Sequence, residues 1–417
     1  MPMPVQNRLR NITLLVSSTL TVMAGAIIAP ALPEISRTFS HLPDAELLSK
    51  LILTLPALVI ALLAPVAGYF TDRSGRRRVL LFSLLLYALS GTTGAYLSNI
   101  YLILAGRVFL GMAVGGLMTA VVTLIGDYFE GEERSRFMGF QAAFAGVGGL
   151  FFIAGGGLLA DISWRAPFLI YGFSLLVMLL AWRFVPEPAR PAPPEPARPV
   201  PPEPARPAPP EPARPRPVHA VPADINSTLP AIPPKVYLVY LIAFFSMAVF
   251  YMIPVQMPFM LSALDGVSSS KVGFAIAFMN VTAVTAALNY GRVKKRLSFG
   301  GVMALVYFLI AAGYIIISRS TSYWEMIAGI LVSGLGFGMQ MANLNLWLVS
   351  LAPPPIRGRL VGYLNAAIFL GMFLSPILLH PLVQISDLHT SFLLTALILL
   401  ALGGVFCYFS CSRFRTS

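Results

Sequence analysis

The sequence predicts an all-α membrane protein of twelve transmembrane helices, built as two pseudo-symmetric six-helix bundles. Three observations carry this expectation. The 417 residues are 57% hydrophobic and only 11% charged, with a mean hydropathy of +0.78, whereas a soluble domain is about a quarter charged. Apolar stretches near the roughly 20 residues that a helix needs to cross a bilayer recur along the whole chain. The chain also repeats itself. A shift of 223 positions lays Gly68, Arg73, Gly106, Gly111, Gly115, Arg134, Arg136 and Gly139 on Gly291, Arg296, Gly329, Gly334, Gly338, Arg357, Arg359 and Gly362. In duplicated membrane halves of this kind, a ligand site lies between the halves near the bilayer midplane.

The first six spans are predicted at about 12–34, 47–70, 79–97, 100–126, 137–160 and 165–184. The second six fall at about 236–262, 272–291, 300–318, 324–350, 360–383 and 391–411. A closed β-barrel would need alternating segments of roughly ten residues, and the run Leu84, Leu85, Leu86 does not alternate. The expected organisation is an N-terminal bundle (1–185), a Pro-rich cytoplasmic linker (186–234) and a C-terminal bundle (235–417).

The formal net charge of +12 reads as topology. With both termini in the cytoplasm, the short loops and tails on that side hold 16 of the 29 Lys and Arg, among them Arg73, Arg76, Arg77 and Arg78, then Arg292, Lys294, Lys295 and Arg296. The opposite side holds five: Arg37, Lys50, Arg165, Lys271 and Arg319. Arg107 lies inside a span and seven more surround the central connection. This is the positive-inside pattern, and it makes a nucleic-acid partner unnecessary. Arg8 and Arg10 before the first apolar run are similar to a secretory signal, but the length of that run and the spans behind it favour a retained helix. Cys407 and Cys411, the two cysteines, form no disulfide framework or zinc spacing, so neither a metal nor an organic cofactor is expected.

Residues 186–217 are four consecutive octapeptides, PEPARPAP, PEPARPVP, PEPARPAP and PEPARPRP. Proline at this density cannot supply the donors of a helix or sheet. A polyproline II segment of 32 residues would reach roughly 100 Å at about 3.1 Å per residue. It serves either as an expanded linker between moving halves or as a docking site for a Pro-reading partner.

Between the second and third spans stands Gly68-Tyr-Phe-Thr-Asp72-Arg73-Ser-Gly75-Arg76-Arg77-Arg78. Gly68 allows close helix approach and Gly75 a turn at positive φ. Asp72 suits a helix N-terminus or an arginine partner. The stretch resembles the signature of the major facilitator superfamily, G-x-x-x-D-R-x-G-R-R/K, at every fixed position. Its second-half copy keeps Gly291 and Arg296 but has Lys295 and Ser298 in place of Asp and Gly. In the fourth span, Arg107-Val-Phe-Leu-Gly111-Met-Ala-Val-Gly115 is similar to the family's R-x-x-x-G-x-x-x-G pattern. The glycines make a small-residue packing face. A cation inside a span is costly and faces the bundle interior or water; the resemblance implies a part for Arg107 in proton coupling or in contacts with the first helix. A structural bond to backbone carbonyls is the other reading.

The first span ends Ala29-Pro30-Ala-Leu-Pro33-Glu34, similar to the drug:proton antiporters of the superfamily. The fifth is rich in glycine, with Gly146, Gly148, Gly149, Gly155, Gly156 and Gly157 before Trp164-Arg-Ala-Pro-Phe168. Phe152-Ile153 stand where that branch has Gly-Pro, and no Asp or Glu falls at mid-membrane. The titratable groups within reach are peripheral: Glu34, Asp127, Glu325 and His380. Asp127 is expected in a charge cluster with Arg73, Arg76 or Arg134.

By resemblance the cavity is lined from spans 1, 4, 7 and 10, with help from 5, 8 and 11. Its candidate contacts are Met23, Gln141, Tyr251, Gln256, Asn280, Gln340, Asn343 and Asn365, each of them also a candidate for helix packing. The residues expected to carry conformational change and coupling are Gly68, Asp72, Arg73, Gly75, Arg76, Arg77, Arg107, Gly111 and Gly115. The resemblance implies a monomeric secondary transporter of the bacterial inner membrane, exporting hydrophobic or amphiphilic small molecules against a proton gradient. Uptake or exchange of an organic metabolite, and a non-transporting scaffold using the Pro-rich repeats, are the alternatives.

Overall fold

The computed structural model describes residues 5–188 and 232–413, with the side chains at 5, 64–70, 72 and 411–413 outside that description. The octapeptides beyond Pro188, and the side chain of Asp72 together with the packing of Gly68, therefore lie outside the described residues. Among those described, no strand occurs and twelve helices are long and apolar enough to cross a membrane.

In chain order these are α1 (Gln6–Thr38), α2 (Ala45–Ser74), α3 (Arg76–Tyr96), α4 (Ile100–Tyr128), α5 (Gly131–Ala160) and α6 (Ala166–Phe184). The second set is α7 (Pro234–Ser262), α8 (Ser269–Lys294), α9 (Phe299–Arg319), α10 (Tyr323–Leu351), α11 (Pro354–Ile385) and α12 (Leu388–Arg413). The spans expected from the sequence overlay them one for one. The helices run a few residues further at several ends, and polar caps fix two of their starts: Asn99 accepts from Tyr101 N on α4, and Ser322 with Glu325 forms a capping box on α10. Since each half has an even number of spans, both termini and the central connection share one side, here termed the terminus face.

Local sequence sets the breaks. In α1 a helix Val5–Ala26 gives way to a short 3-10 turn, Ala29–Ala31, and then to Leu32–Thr38. Pro30 and Pro33 sit in the first turns of the last two pieces, where no N–H is missed. Gly75 ends α2 and starts α3 at φ 96°, a conformation that glycine adopts without a Cβ penalty. Asp44, the residue before α2, is left-handed at φ 57°, which short Asp side chains tolerate.

The duplication is visible in packing. In the first half α2 and α3 pack on α4, α1 on α5, and α6 on α3; in the second, α8 and α9 pack on α10, α7 on α11, and α12 on α9. A Cβ at Gly111 would lie 2.7 Å from Pro56 O, and one at Gly334 would lie 2.9 Å from Met279 O. Both glycine and partner are offset by 223, so the same close helix crossing was kept in both copies. The halves meet along two seams, α5 with α8 and α2 with α11.

Candidate functional site: two seams, a buried arginine and a polar interior

The α5/α8 seam is made by glycine. Gly157 and Gly273 face each other with no side chain between them: a Cβ on Gly157 would be 3.1 Å from Gly273 Cα and 2.7 Å from Ser269 O. One turn further out, the Asp161 carboxylate accepts a hydrogen bond of 3.1 Å from Ser270 N, at the positive end of α8. Eleven residues toward the terminus face, three turns down α5, Gly146 meets Val284 more loosely at 3.5 Å. Other glycines of α5 serve α1 instead: Gly148 lies against Thr19 and Gly156 against Ile27 O. The glycine richness of this helix thus feeds two close crossings on different faces.

The α2/α11 seam is built differently. Lys50, counted from sequence on the side opposite the termini near the start of the second span, lies within α2 and is only 2% exposed. Its ammonium pairs with Glu46 and sits 4.8 Å from the ring centroid of Phe259 on α7, across the boundary between halves. On the same seam His380 of α11 lies 3.8 Å from Asp44 and 3.0 Å from Gln384. The sequence pattern hid the burial of Lys50 because one lysine near the start of an apolar run reads as a charge at the membrane edge. Arg107 is accordingly not the single cation within the spans. The contacts between halves described above, Gly157–Gly273, Asp161–Ser270, Lys50–Phe259 and His380–Asp44, lie toward the face away from the termini.

Arg107 is fully buried inside the first bundle. Its Nη2 donates to Gly91 O at 2.8 Å, and its guanidinium lies 4.8 Å and 4.9 Å from the ring centroids of Phe168 and Tyr171. Nε and Nη1 have no hydrogen-bond partner. Tyr171 and Tyr87 donate to the α1 carbonyls of Ala24 and Leu20, both at 2.8 Å. The arginine therefore bonds a carbonyl and also stands one aromatic ring away from the backbone of α1. Of the two glycines in its motif, Gly111 makes the close crossing on α2, while Gly115 has no described atom within 4 Å of a Cβ position.

At the terminus face the signature loop is held from several sides. Arg76 Nε pairs with Asp127 Oδ2 at 2.6 Å, the expected charge cluster. The Arg134 guanidinium packs over Gly126. Arg77 donates through Nη2 to Trp182 O, and Arg73 is exposed. Sequence reasoning missed Glu187, from the first octapeptide. Its carboxylate accepts from Arg76 N at 2.7 Å and Arg77 N at 3.0 Å, capping α3 at the point where Gly75 offers no side chain. An acid three residues after the end of α6 was the available signal.

The candidate cavity residues divide. Gln256 on α7 and Gln340 on α10 are each 1% exposed, and neither amide oxygen nor nitrogen has a partner. Tyr251 is buried with its hydroxyl against Gly25 of α1. Asn343 accepts from Tyr290 and donates to Phe299 O, both at 3.1 Å, so it binds α8, α9 and α10 together. Met23 is fully buried, Gln141 and Asn280 are half-buried, and Asn365 is exposed. Of the peripheral acids, Glu34 pairs with exposed Arg37 and Glu325 belongs to the α10 cap.

Known proteins of the same design can be set beside this geometry. A bacillibactin exporter of Bacillus subtilis is 26% identical over 386 residues, 88% of either chain. The class C tetracycline resistance protein of Escherichia coli is 36% identical over 174 residues, a match spanning 40% of this chain and 43% of that protein. Among solved structures, a bacterial homologue of the human lysosomal transporter Spinster, in an inward-facing and unoccupied conformation, superposes with a TM-score of 0.75 at 17% identity, covering 100% of this chain and 99% of that one. A D-xylose–proton symporter gives 0.68 at 15% identity, covering 94% and 97%. The profile of the Major Facilitator Superfamily matches residues 14–376 and 239–417. With its duplicated six-helix halves, its signature loop and the fold of solved transporters, the chain belongs to the major facilitator superfamily.

Proposed function

We propose that this transporter exports hydrophobic or amphiphilic small molecules by alternating access, driven by protons, from a bacterial cell whose inner membrane it crosses with both termini in the cytoplasm. The observation that carries the reading is similarity along 88% of the chain to a bacillibactin exporter. The basic loops on the terminus face support the orientation. The seams, closed away from the termini, support a resting state that opens inward.

Gln256 and Gln340 are the groups best suited to a substrate. A buried amide without a partner costs about 1–3 kcal/mol, and a bound molecule with polar atoms would relieve it. The apolar and methionine-rich surroundings of α7, with Met252, Met257 and Met260 buried, suit ligands of varied shape. For the proton, His380 is the peripheral group that is neither a cap nor half of a carboxylate–arginine pair in this state. Rocking of one half against the other would part Gly157 from Gly273 and Lys50 from Phe259 together.

The test is accumulation of fluorescent lipophilic dyes in cells lacking their own pumps, with and without an uncoupler. Expected is lower accumulation that the uncoupler abolishes and that Gln340→Ala weakens at equal membrane expression. Dyes that accumulate equally with and without the protein, across a broad panel, would replace export by the uptake or exchange of a specific metabolite.

A further inference from the structure

The two bundles descend from one sequence but are not packed alike. α6 packs on both α3 and α1, and it is tied to them by Tyr171 to Ala24 O at 2.8 Å and Ser174 to Leu84 O at 3.1 Å. Its counterpart α12 packs along α9 and barely touches α7. A cleft of about 1200 Å³ opens there, between α7, α9, α11 and α12, larger than ordinary ligand pockets of about 300–1,000 Å³. It follows α12 from Thr395 to Ser410, about 22 Å at 1.5 Å per residue.

The walls are apolar and turned outward. Phe245, Leu378, Ile398, Leu402 and Val405 line the cleft and are all exposed. Its few deep polar groups are already engaged: Ser246 with Tyr307 at 3.3 Å, Ser375 with Ala248 O at 2.7 Å, and Thr395 with Ser391 O at 2.8 Å. Nothing along this trough asks for a polar ligand.

Its terminus end is the opposite. The hydroxyls of Ser298 and Ser410 lie 2.6 Å apart at the mouth. Lys294 holds its ammonium 4.1 Å from the ring centroid of Phe299, a wall residue, and spends one of three donors on Leu297 O at 3.2 Å. Lys235 stands three residues before the wall residue Leu238 on α7, on the same face of the helix. No acid occupies the first turn of α7 or α9. A trough of hydrocarbon length with two cations and two hydroxyls at one end is complementary to an anionic amphiphile, and basic sites between helices hold anionic headgroups in bilayers.

We propose that this cleft binds an anionic phospholipid, an acyl chain lying along α12 and the phosphate held at Lys235, Lys294 and the Ser298–Ser410 pair. Each lysine contributes about fivefold to the headgroup preference. The site is separate from the seams and from Gln256 and Gln340, so it does not depend on the direction of transport.

The test is native mass spectrometry of the purified full chain from micelles holding equal amounts of phosphatidylglycerol and phosphatidylcholine with the same acyl chains. Expected is at least tenfold greater retention of phosphatidylglycerol. The Lys235→Gln/Lys294→Gln double variant, changed at surface side chains, should bring the ratio near one. Leu402→Trp should lower retention of both lipids, and Arg319→Gln on the other face should leave the ratio unchanged. Equal retention by the unaltered protein, or a preference that survives the double variant, would overturn the proposal.

Discussion

Replacing Gly157 by Ala tests the seam directly. A Cβ there would stand 2.7 Å from Ser269 O and 3.1 Å from the Cα atoms of Ser270 and Gly273. Ordinary contact begins near 3.4 Å, so α5 and α8 must part by about 0.7 Å (3.4 − 2.7), and the obstructing atoms are backbone that cannot rotate away. Forced overpacking of this kind costs about 1–3 kcal/mol. The gain in helix propensity from Gly to Ala, about 1 kcal/mol, is present in both transport states and cancels in their ratio. The state closed away from the termini should therefore lose roughly 5- to 150-fold in population. Spin labels at Ser163 and Asp265, exposed on that face in opposite halves, report the separation by double electron–electron resonance after Cys407 and Cys411 are replaced by Ser. Gly157→Ala and Gly273→Ala should move the distribution to longer distances. Gly155→Ala, where a Cβ meets no described atom within 4 Å, should leave it in place. An unchanged distribution in the seam variants, or an equal shift in Gly155→Ala, would refute the steric argument.

Three further outcomes follow from the same geometry. Lys50→Met removes a charge that is buried when this face is closed and hydrated when it opens; Glu46, 45% exposed, is not stranded by its loss. The Ser163–Asp265 distances should shift shorter, opposite in sign to Gly157→Ala, and a shift to longer ones would contradict the reading. Glu187→Ala deletes the carboxylate that caps α3; the loss should sit at the low end of the range for caps, about 0.5–1 kcal/mol, because the group is exposed. A fall of about 1 °C in Tm in detergent is the readout, and an unchanged Tm would dismiss the cap. Gln340→Leu removes an amide with no partner, so the fold should hold or gain stability while transport of substrates with polar groups weakens; a loss of Tm together with intact transport would reverse the assignment.

The spans were legible because composition alone drives them into lipid, and the signature turn because a positive φ at Gly75 admits few residues besides glycine. The glycines of α5 could be counted from sequence, but not allotted. Whether a small residue faces α1 or α8 depends on where two rigid bundles come to rest, and periodicity within one helix carries no information about that. Glu187 was hidden for a related reason. Its partners, Arg76 and Arg77, are more than a hundred residues away, and its own surroundings are a low-complexity repeat whose composition argues for solvent.

The internal offset of 223 nevertheless holds one more piece of structural information. Added to Gly157 it gives His380, and added to Lys50 it gives Gly273. The two seams are thus equivalent helix pairs, α5 on α8 and α11 on α2, with a pair of glycines at these positions in one and a lysine and a histidine in the other. The glycine pair closes by backbone approach and tolerates no added atom, with the single carboxylate of Asp161 bonded to Ser270 N one turn away. The other copy closes over ionisable groups: Asp44, Glu46 and Lys50 on the α2 side and His380 on α11, with Arg319, Asp387 and His389 around the adjoining pocket. A rigid rocking motion must open both seams together, so the energy of the charged seam bears on the apolar one. Duplication supplied the symmetry needed to rock; divergence at one pair of equivalent positions concentrated ionisable side chains on one flank of the gate.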